Sequence, residues 1–411
     1  MKERLPFETY IYFLAQSVNL TAAVMSVTMA ALVGEVLAPE PWMSTVPYGF
    51  QFLSVMLATY PAARLMTIIG RKKSFLWATV PLAGSGVAGY LAVEMRVFLL
   101  LVVAHVLLGV YIAFANFNRF AATDNVAASL KPRAISLVVA GGVLAAITGP
   151  LLTAGLKDFG ALPAFAACYA AFVGLALVSL VLHLSIKAAP VRRRAAQGSA
   201  GRGGGWRLAL KNKTVALAIL VAAAGYGLMN LLMIQSSMFM AGMQVHFSDV
   251  SAAIQWHVLA MFAPSFFTGV LVQALGLRVI VFGGIVLLLL SGLINLVTQD
   301  YAILVASLVI LGLGWNFTYV GGSALLAQGL ERMPGSAVQI QGLNDLGVSM
   351  MATLGAFAPA FLLSWPGWAG TNILSIGICL ALLVFAVWAL SPRRDPFPLD
   401  PAASPSGGQR N

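Results

Sequence analysis

The stretch KAAPVRRRAAQGSAGRGGGWRLALKNK, residues 187–213, is a basic, glycine-rich break in an otherwise apolar chain. Outward from it, apolar runs of spanning length recur on both sides. Six precede it, at about 8–34, 42–68, 74–93, 97–122, 132–155 and 161–186. Six follow, at about 212–240, 250–274, 277–297, 301–328, 337–364 and 368–390. Each holds the roughly 20 residues that an α-helix needs to cross the hydrocarbon core. The expected fold is all-α and polytopic: twelve transmembrane helices in two pseudo-symmetric six-helix bundles, residues 1–186 and 212–390. Residues 187–211 are expected to be a flexible cytoplasmic linker, and the Pro-, Ser- and Gly-rich tail 391–411 to be disordered.

Composition agrees. Only 9% of the 411 residues are charged and 60% are hydrophobic, too few charges to clothe a soluble surface of this size. The lipid bilayer is therefore the expected solvent. The net charge of +11 does not point to nucleic acid, because the basic residues sit in short runs between apolar segments, as in Arg71-Lys72-Lys73 and Arg192-Arg193-Arg194. With a cytoplasmic N-terminus, 22 of the 24 Lys and Arg fall on the cytoplasmic side, all but Arg96 and Lys157. Glu35, Glu40, Glu94, Asp158, Asp249 and Asp300 then lie in outer loops, which is the positive-inside pattern for a protein with both termini in the cytoplasm. The first apolar stretch, Tyr10 to Val33, is long enough to span and lacks a small-residue cleavage site, so it reads as helix 1 and not as a signal peptide. Cys168 and Cys379 both lie inside apolar segments and form neither a disulfide framework nor a CxxC site.

The halves echo one another. Ala63 and Gly70 in the helix 2–3 loop match Gly269 and Gly276 in the helix 8–9 loop at a displacement of 206 residues, and Gly149 matches Gly355 at the same displacement. One offset shared by three positions supports a duplicated six-helix unit, as in major facilitator transporters. The loop ARLMTIIGRKK, 63–73, resembles that superfamily's G-x-x-x-D-R-x-G-R-K pattern in degenerate form: Gly70, Arg71 and Lys72 match, whereas Ala63, Thr67 and Ile68 depart from it. Gly149-Pro150 resembles the Gly-Pro of the antiporter motif, without most of the glycines around it. Drug–proton antiport is correspondingly weakened. Asp345, in helix 11, is the one acid clearly inside a span; it reads as a structural group near the cytoplasmic face, in a gate pair with Arg64 or Arg71, or else as a proton-coupling site. His105, Asn116, Asn118 and Arg119 in helix 4 stay open between bonding a neighbouring helix and function.

Two pairs carry candidate chemistry. Helix 7 holds Met229 and Met233, and helix 8 holds His257 and Met261, each pair at four-residue spacing and so on one helix face. Folded as a hairpin symmetric about residue 245, Met233 lies level with His257 and Met229 with Met261. At 1.5 Å per residue both layers fall roughly 10–20 Å below the outer end. Three thioethers and an imidazole are soft or borderline neutral ligands, suited to Cu(I) and poorly suited to Mg²⁺, Ca²⁺ or Mn²⁺. Packing is the competing reading, since with 16 methionines chance supplies roughly one M-x-x-x-M, and helix 1 has another at Met25 and Met29. Those two lie nearly level with the helix 7 pair, on a helix expected to face the cavity; Met238, Met240, Met243 and His246 form an outer-end cluster suited to ion capture or to packing.

The stretches GYGLMNLLM (225–233), IQWHVLAMFAPSFFTG (254–269), LGLGWNFTYVGG (311–322) and NRFAATDNVAASLKPRAISLVVAGGV (118–143) resemble the CcoA-like copper-importer branch of the major facilitator superfamily, whose relatives include riboflavin transporters. The resemblance covers nearly the whole chain apart from linker and tail. It implies copper import across a bacterial inner membrane by alternating access, with Met229, Met233, His257 and Met261 as metal-binding residues, copper as transported substrate and no cofactor. It further implies supply of copper for cbb-type cytochrome c oxidase assembly, with a cytoplasmic copper acceptor as partner. No nucleophile–base arrangement or phosphate loop appears, and GRGGG opens no strand–turn–helix unit, so the chain is not expected to be an enzyme. The first alternative is a carrier of riboflavin or another small organic solute, lined by Trp256, Trp315, Phe262, Phe266 and Phe267. The second is a non-transporting scaffold for oxidase assembly that binds partners through the basic linker.

Overall fold

The computed structural model describes residues 5–122, 126, 131–186, 212–297, 299–330 and 337–391. The expected linker 187–211 and the tail beyond Ser391 lie outside the described residues. All twelve expected spans are helices. They are α1 Phe7–Leu37, α2 Pro41–Ile69, α3 Arg71–Glu94, α4 Phe98–Ala121, α5 Leu137–Leu156 and α6 Ala166–Leu184 in the first half. The second half holds α7 Lys213–Gly242, α8 Phe247–Thr268, α9 Leu277–Val297, α10 Tyr301–Leu326, α11 Gly342–Ser364 and α12 Gly367–Leu390.

Helix is the form that satisfies backbone N–H and C=O groups within one segment where no water reaches them. The ends are closed by specific side chains. Asn212 Oδ1 accepts from the backbone N–H of Thr214 (3.1 Å) and Val215 (3.3 Å) and so caps α7. Asp300 Oδ1 does the same for α10 through Ala302 (2.9 Å) and Ile303 (3.3 Å). Lys72 Nζ donates to the carbonyls of Leu184 (2.8 Å) and Ile186 (2.5 Å), tying the start of α3 to the end of α6.

The duplication is visible in the backbone itself. Gly70 has φ 86° and ψ 156°, and Gly276, its counterpart 206 residues on, has φ 86° and ψ 148°. Both separate one span from the next in a conformation that a side chain would disfavour. Gly149 sets α5 against Val24 of α1, where an added Cβ would lie 2.6 Å from Val24 Cγ1. Its counterpart Gly355 sets α11 against the backbone of Gly227 in α7.

The first bundle packs around Met25, Met29, Leu82, Leu108, Tyr111, Tyr169 and Phe172. A second core fills the other bundle and continues across the seam into Val24, Val27, Tyr48, Ala145 and Ala146 of the first. We call the end where α1 begins and α12 finishes the basic end. At the opposite end the bundles close on one another. Thr45 Oγ1 donates to Phe357 O (2.9 Å), and Ser251 Oγ to Pro150 O (3.1 Å). Lys157 Nζ lies 4.8 Å from the ring centroid of Phe247 across the seam and 5.7 Å from that of Phe165 on its own side. The two rings meet edge-on at 5.1 Å.

Candidate substrate site between the bundles

A run of aromatic rings crosses the seam at mid-depth. Tyr48 and Phe52 of α2 lie 5.2 Å apart, and Phe52 lies 6.4 Å from Tyr226 of α7. Tyr226 stands edge-on to Trp315 (5.6 Å) and Tyr319 (5.9 Å) of α10, which stack on each other at 5.1 Å and 8°. Phe262 of α8 closes the group, 6.0 Å from Trp315. The crossing of α7 and α10 is tight because Gly225, one residue before Tyr226, offers no Cβ to Thr318. Trp315 is 6% exposed, and its indole N–H is buried without an acceptor.

Polar side chains on α1 and α4 are left partly unsatisfied in the first bundle. On α1, Gln16 falls on the stripe of Leu20, Val24 and Val27 that packs against the second bundle, at the three- to four-residue spacing of one helix face. Gln16 Oε1 and Asn19 Oδ1 are buried acceptors without donors, and Asn19 Nδ2 lies 3.5 Å from Asn116 Oδ1 of α4. Near the basic end of α4, the Arg119 guanidinium sits 4.7 Å from the Phe120 ring, with its Nε buried and unpartnered.

Met229, Met233 and Met261 are all buried in the cluster that contains Trp315. His257 is fully buried, and its Nδ1 lies 2.7 Å from Leu308 O of α10. A carbonyl only accepts, so Nδ1 carries the proton and Nε2 presents a lone pair; that atom has no partner. The turn between α7 and α8 falls where the hairpin requires, between Gly242 and Phe247. The imidazole is nevertheless tied to α10, which α8 approaches closely at Gly312: a Cβ there would lie 2.6 Å from His257 O. Among the described residues no three of His, Cys, Asp and Glu gather at metal-binding range.

Several expectations need correction. Met25 and Met29 are in the first bundle's own core and do not face the cavity. The 206-residue counterparts of Met229 and Met233 are Ala23 and Val27, so Met25 and Met29 are two positions, about 200° of helix rotation, away from them. The outer-end cluster is split, with Met240 fully buried and Met243 37% exposed. His246 lines a recess at that same end, away from the basic end, with Lys157, Asp158 and Phe247. Asp345 Oδ1 accepts from Asn344 Nδ2 at 3.2 Å, and no ion pair with Arg64 is present among the described residues. Of the five aromatics expected to line a cavity, Trp315 and Phe262 belong to the ring cluster, whereas Trp256, Phe266 and Phe267 are exposed. Tyr226, Tyr319, Phe52 and Tyr48 take their place.

The sequence matches the model of the Major Facilitator Superfamily over residues 10–337. It is 31% identical over 384 residues to the riboflavin transporter RfnT of Brucella anthropi, covering 93% of this chain and 96% of that one. It is 25% identical over 377 residues to an uncharacterized MFS-type transporter, YdeG, of Bacillus subtilis, covering 88% and 87%. Among solved structures it resembles the nucleoside transporter NupG with a TM-score of 0.70 at 12% identity, covering 94% of this chain and all of that one. None of these supports membership of the copper-importer branch in particular. With twelve spans, a backbone repeat at Gly70 and Gly276 and a family match over most of its length, the chain belongs to the Major Facilitator Superfamily and is a membrane transporter, not an enzyme.

Proposed function

We propose that the chain carries riboflavin or a closely related planar organic solute, held at the seam between the bundles. One observation carries this reading: a cluster of aromatic rings from both bundles, in which Trp315 stacks on Tyr319 and the Trp315 indole N–H is buried without an acceptor. A planar heteroaromatic ring would add to the stack, each ring pair contributing about 0.5–1.5 kcal/mol beyond area burial. Its polar atoms would fill bonds that the empty protein leaves open, and a buried polar group left unpaired costs about 1–3 kcal/mol. The substrate named for the 31%-identical relative is of this kind.

The surplus of Lys and Arg at the basic end orients that end to the cytoplasm of a bacterial inner membrane. Release of the solute there follows if the contacts of Thr45, Lys157 and Ser251 hold the opposite end shut. Parting those contacts while the other end closes exchanges access between the two sides. The test is uptake of radiolabelled riboflavin by cells without their own flavin carrier, expressing the wild type or Trp315→Ala at matched membrane abundance. The wild type should accumulate riboflavin and the variant at least about tenfold less. No accumulation by the wild type sinks the proposal.

A second reading, copper import through Met229, Met233, His257 and Met261, is favoured by one observation. A neutral imidazole whose Nδ1–H is fixed on a backbone carbonyl and whose Nε2 is free is in the state a metal ion requires of histidine, and three thioethers share the neighbouring core. On this reading the supply of copper for cbb-type oxidase assembly, with a cytoplasmic acceptor, is its physiological consequence. Radiocopper uptake by the wild type, Met233→Ala and His257→Ala separates the two. Loss in both variants favours copper; equal uptake by all three leaves the methionines as packing.

A further inference from the structure

We propose that Phe262 is a specificity-determining residue that sets how broad a planar solute the ring cluster accepts, with Asn316 and Gly142 as the residues that hold it in place. The inference rests on the organic-solute reading above. A side chain can set a width only if it does not yield, and Phe262 is fixed twice over.

The first fixture is its own backbone. α8 is broken at Ala263 and Pro264, between the helical segments Phe247–Phe262 and Ser265–Leu275. Proline brings no N–H and cannot continue the ladder. A break within a span is tolerated where a neighbouring helix fills the freed groups. Asn316 of α10 does so. Its Nδ2 donates to Met261 O (2.8 Å) and to Ser265 Oγ (2.7 Å), and its Oδ1 accepts from Thr268 Oγ1 (2.8 Å). The amide is fully buried and grips α8 on either side of the break, with Phe262 next to the first grip. Asn316 also follows Trp315 directly in α10, so one turn of α10 fixes both rings relative to each other.

The second fixture lies across the seam. Gly142 of α5 meets the Phe262 ring so closely that a Cβ there would lie 2.7 Å from Phe262 Cγ. The ring thus rests against the backbone of the other bundle and has no room to retreat toward it. Trp315 stands 6.0 Å from the same ring at 69°, and Tyr319 stacks on Trp315. A planar guest joining that stack finds Phe262 at its margin, and the breadth of its ring system is what Phe262 reads.

The experiment measures binding of two probes to purified full-length protein. One is riboflavin, with three fused rings; the other is dimethylribityllumazine, which keeps the polyol and the dione but has two. The wild type is compared with Gly142→Ala, Phe262→Leu and the double variant. The methyl added in Gly142→Ala pushes Phe262 toward the guest, so riboflavin should bind about tenfold more weakly and the lumazine less than about twofold. Leucine leaves room for that methyl, so the double variant should bind riboflavin within about threefold of Phe262→Leu alone. Equal weakening of both probes by Gly142→Ala would mean that the bundles were pushed apart, and would overturn the inference. Riboflavin binding unchanged in Gly142→Ala, or no recovery in the double variant, would overturn it as well. In each of these cases the wild type still binds riboflavin and the organic-solute reading stands. If the wild type does not bind riboflavin, that reading falls and takes this inference with it.

Discussion

Each bundle buries one histidine in the middle of a span, and the two are treated differently. His105, in the first bundle, has both ring nitrogens engaged: Nδ1 lies 2.9 Å from Gln51 Oε1, to which Ser26 Oγ also donates at 2.6 Å, and Nε2 lies 3.1 Å from Tyr169 OH. The bonds join α1, α2, α4 and α6. His257, in the second bundle, has one engagement, with α10, and an open Nε2. The first arrangement is a closed polar network that fixes four helices relative to each other. The second leaves capacity unspent beside a wall of rings. Chemical type alone does not tell a structural histidine from a functional one; the count of filled partners does.

The contrast can be tested, and the largest effect should come from His105→Ala. It strands the Tyr169 hydroxyl in a buried site, at about 1–3 kcal/mol, leaves Gln51 with Ser26 alone, and opens a cavity, for a total of about 3–5 kcal/mol. Thermal unfolding in detergent should show it as a marked drop. Next is Trp315→Phe, which keeps a ring in the stack but removes the indole N–H; riboflavin binding should fall by about tenfold, roughly 1.4 kcal/mol, with a smaller drop in unfolding temperature than His105→Ala. His257→Ala opens a comparable cavity but strands no second side chain, so it should cost about 1–3 kcal/mol less than His105→Ala. If it unfolds as readily as His105→Ala, the contrast is wrong. Smallest is Lys157→Met, which removes the cation between Phe165 and Phe247 at about 0.5–1 kcal/mol. A cysteine introduced as Ala154→Cys beside it should then react up to about fivefold faster with a polar thiol reagent. An unchanged rate would show that the clamp does not hold that end closed.

Much of the fold was legible because membrane spans announce themselves by length and apolar content. The repeat was legible too, since Gly70 and Gly276 sit where backbone geometry admits little else. Rotational phase was not. The second bundle's spans are apolar nearly all round, so a 3.6-residue pattern carries no sense of which face meets the seam. Trp256 and Phe262 illustrate the loss, since both are aromatic and on one helix, yet Trp256 is 56% exposed while Phe262 touches Trp315. A signal was available for Met25 and Met29, whose separation from the helix 7 pair misses the common 206-residue offset by two. Tyr226 and Tyr319 carried a fainter one, as phenols deep within spans where each hydroxyl wants a partner. Nothing in the spacing of His257 could reveal that Leu308 O would claim one of its nitrogens.

The contact between Phe52 and Tyr226 has a consequence for the cell when no cargo is bound. Rings from the two bundles already meet where a solute would sit, so the unloaded protein is plugged at its middle by its own side chains. A passenger must wedge these rings apart and then replace them as the plug. On the organic-solute reading, the rings and then the solute narrow the way for water and protons at this level. A cell can therefore keep many copies of such a protein in its energised membrane without draining the gradient that the membrane exists to maintain.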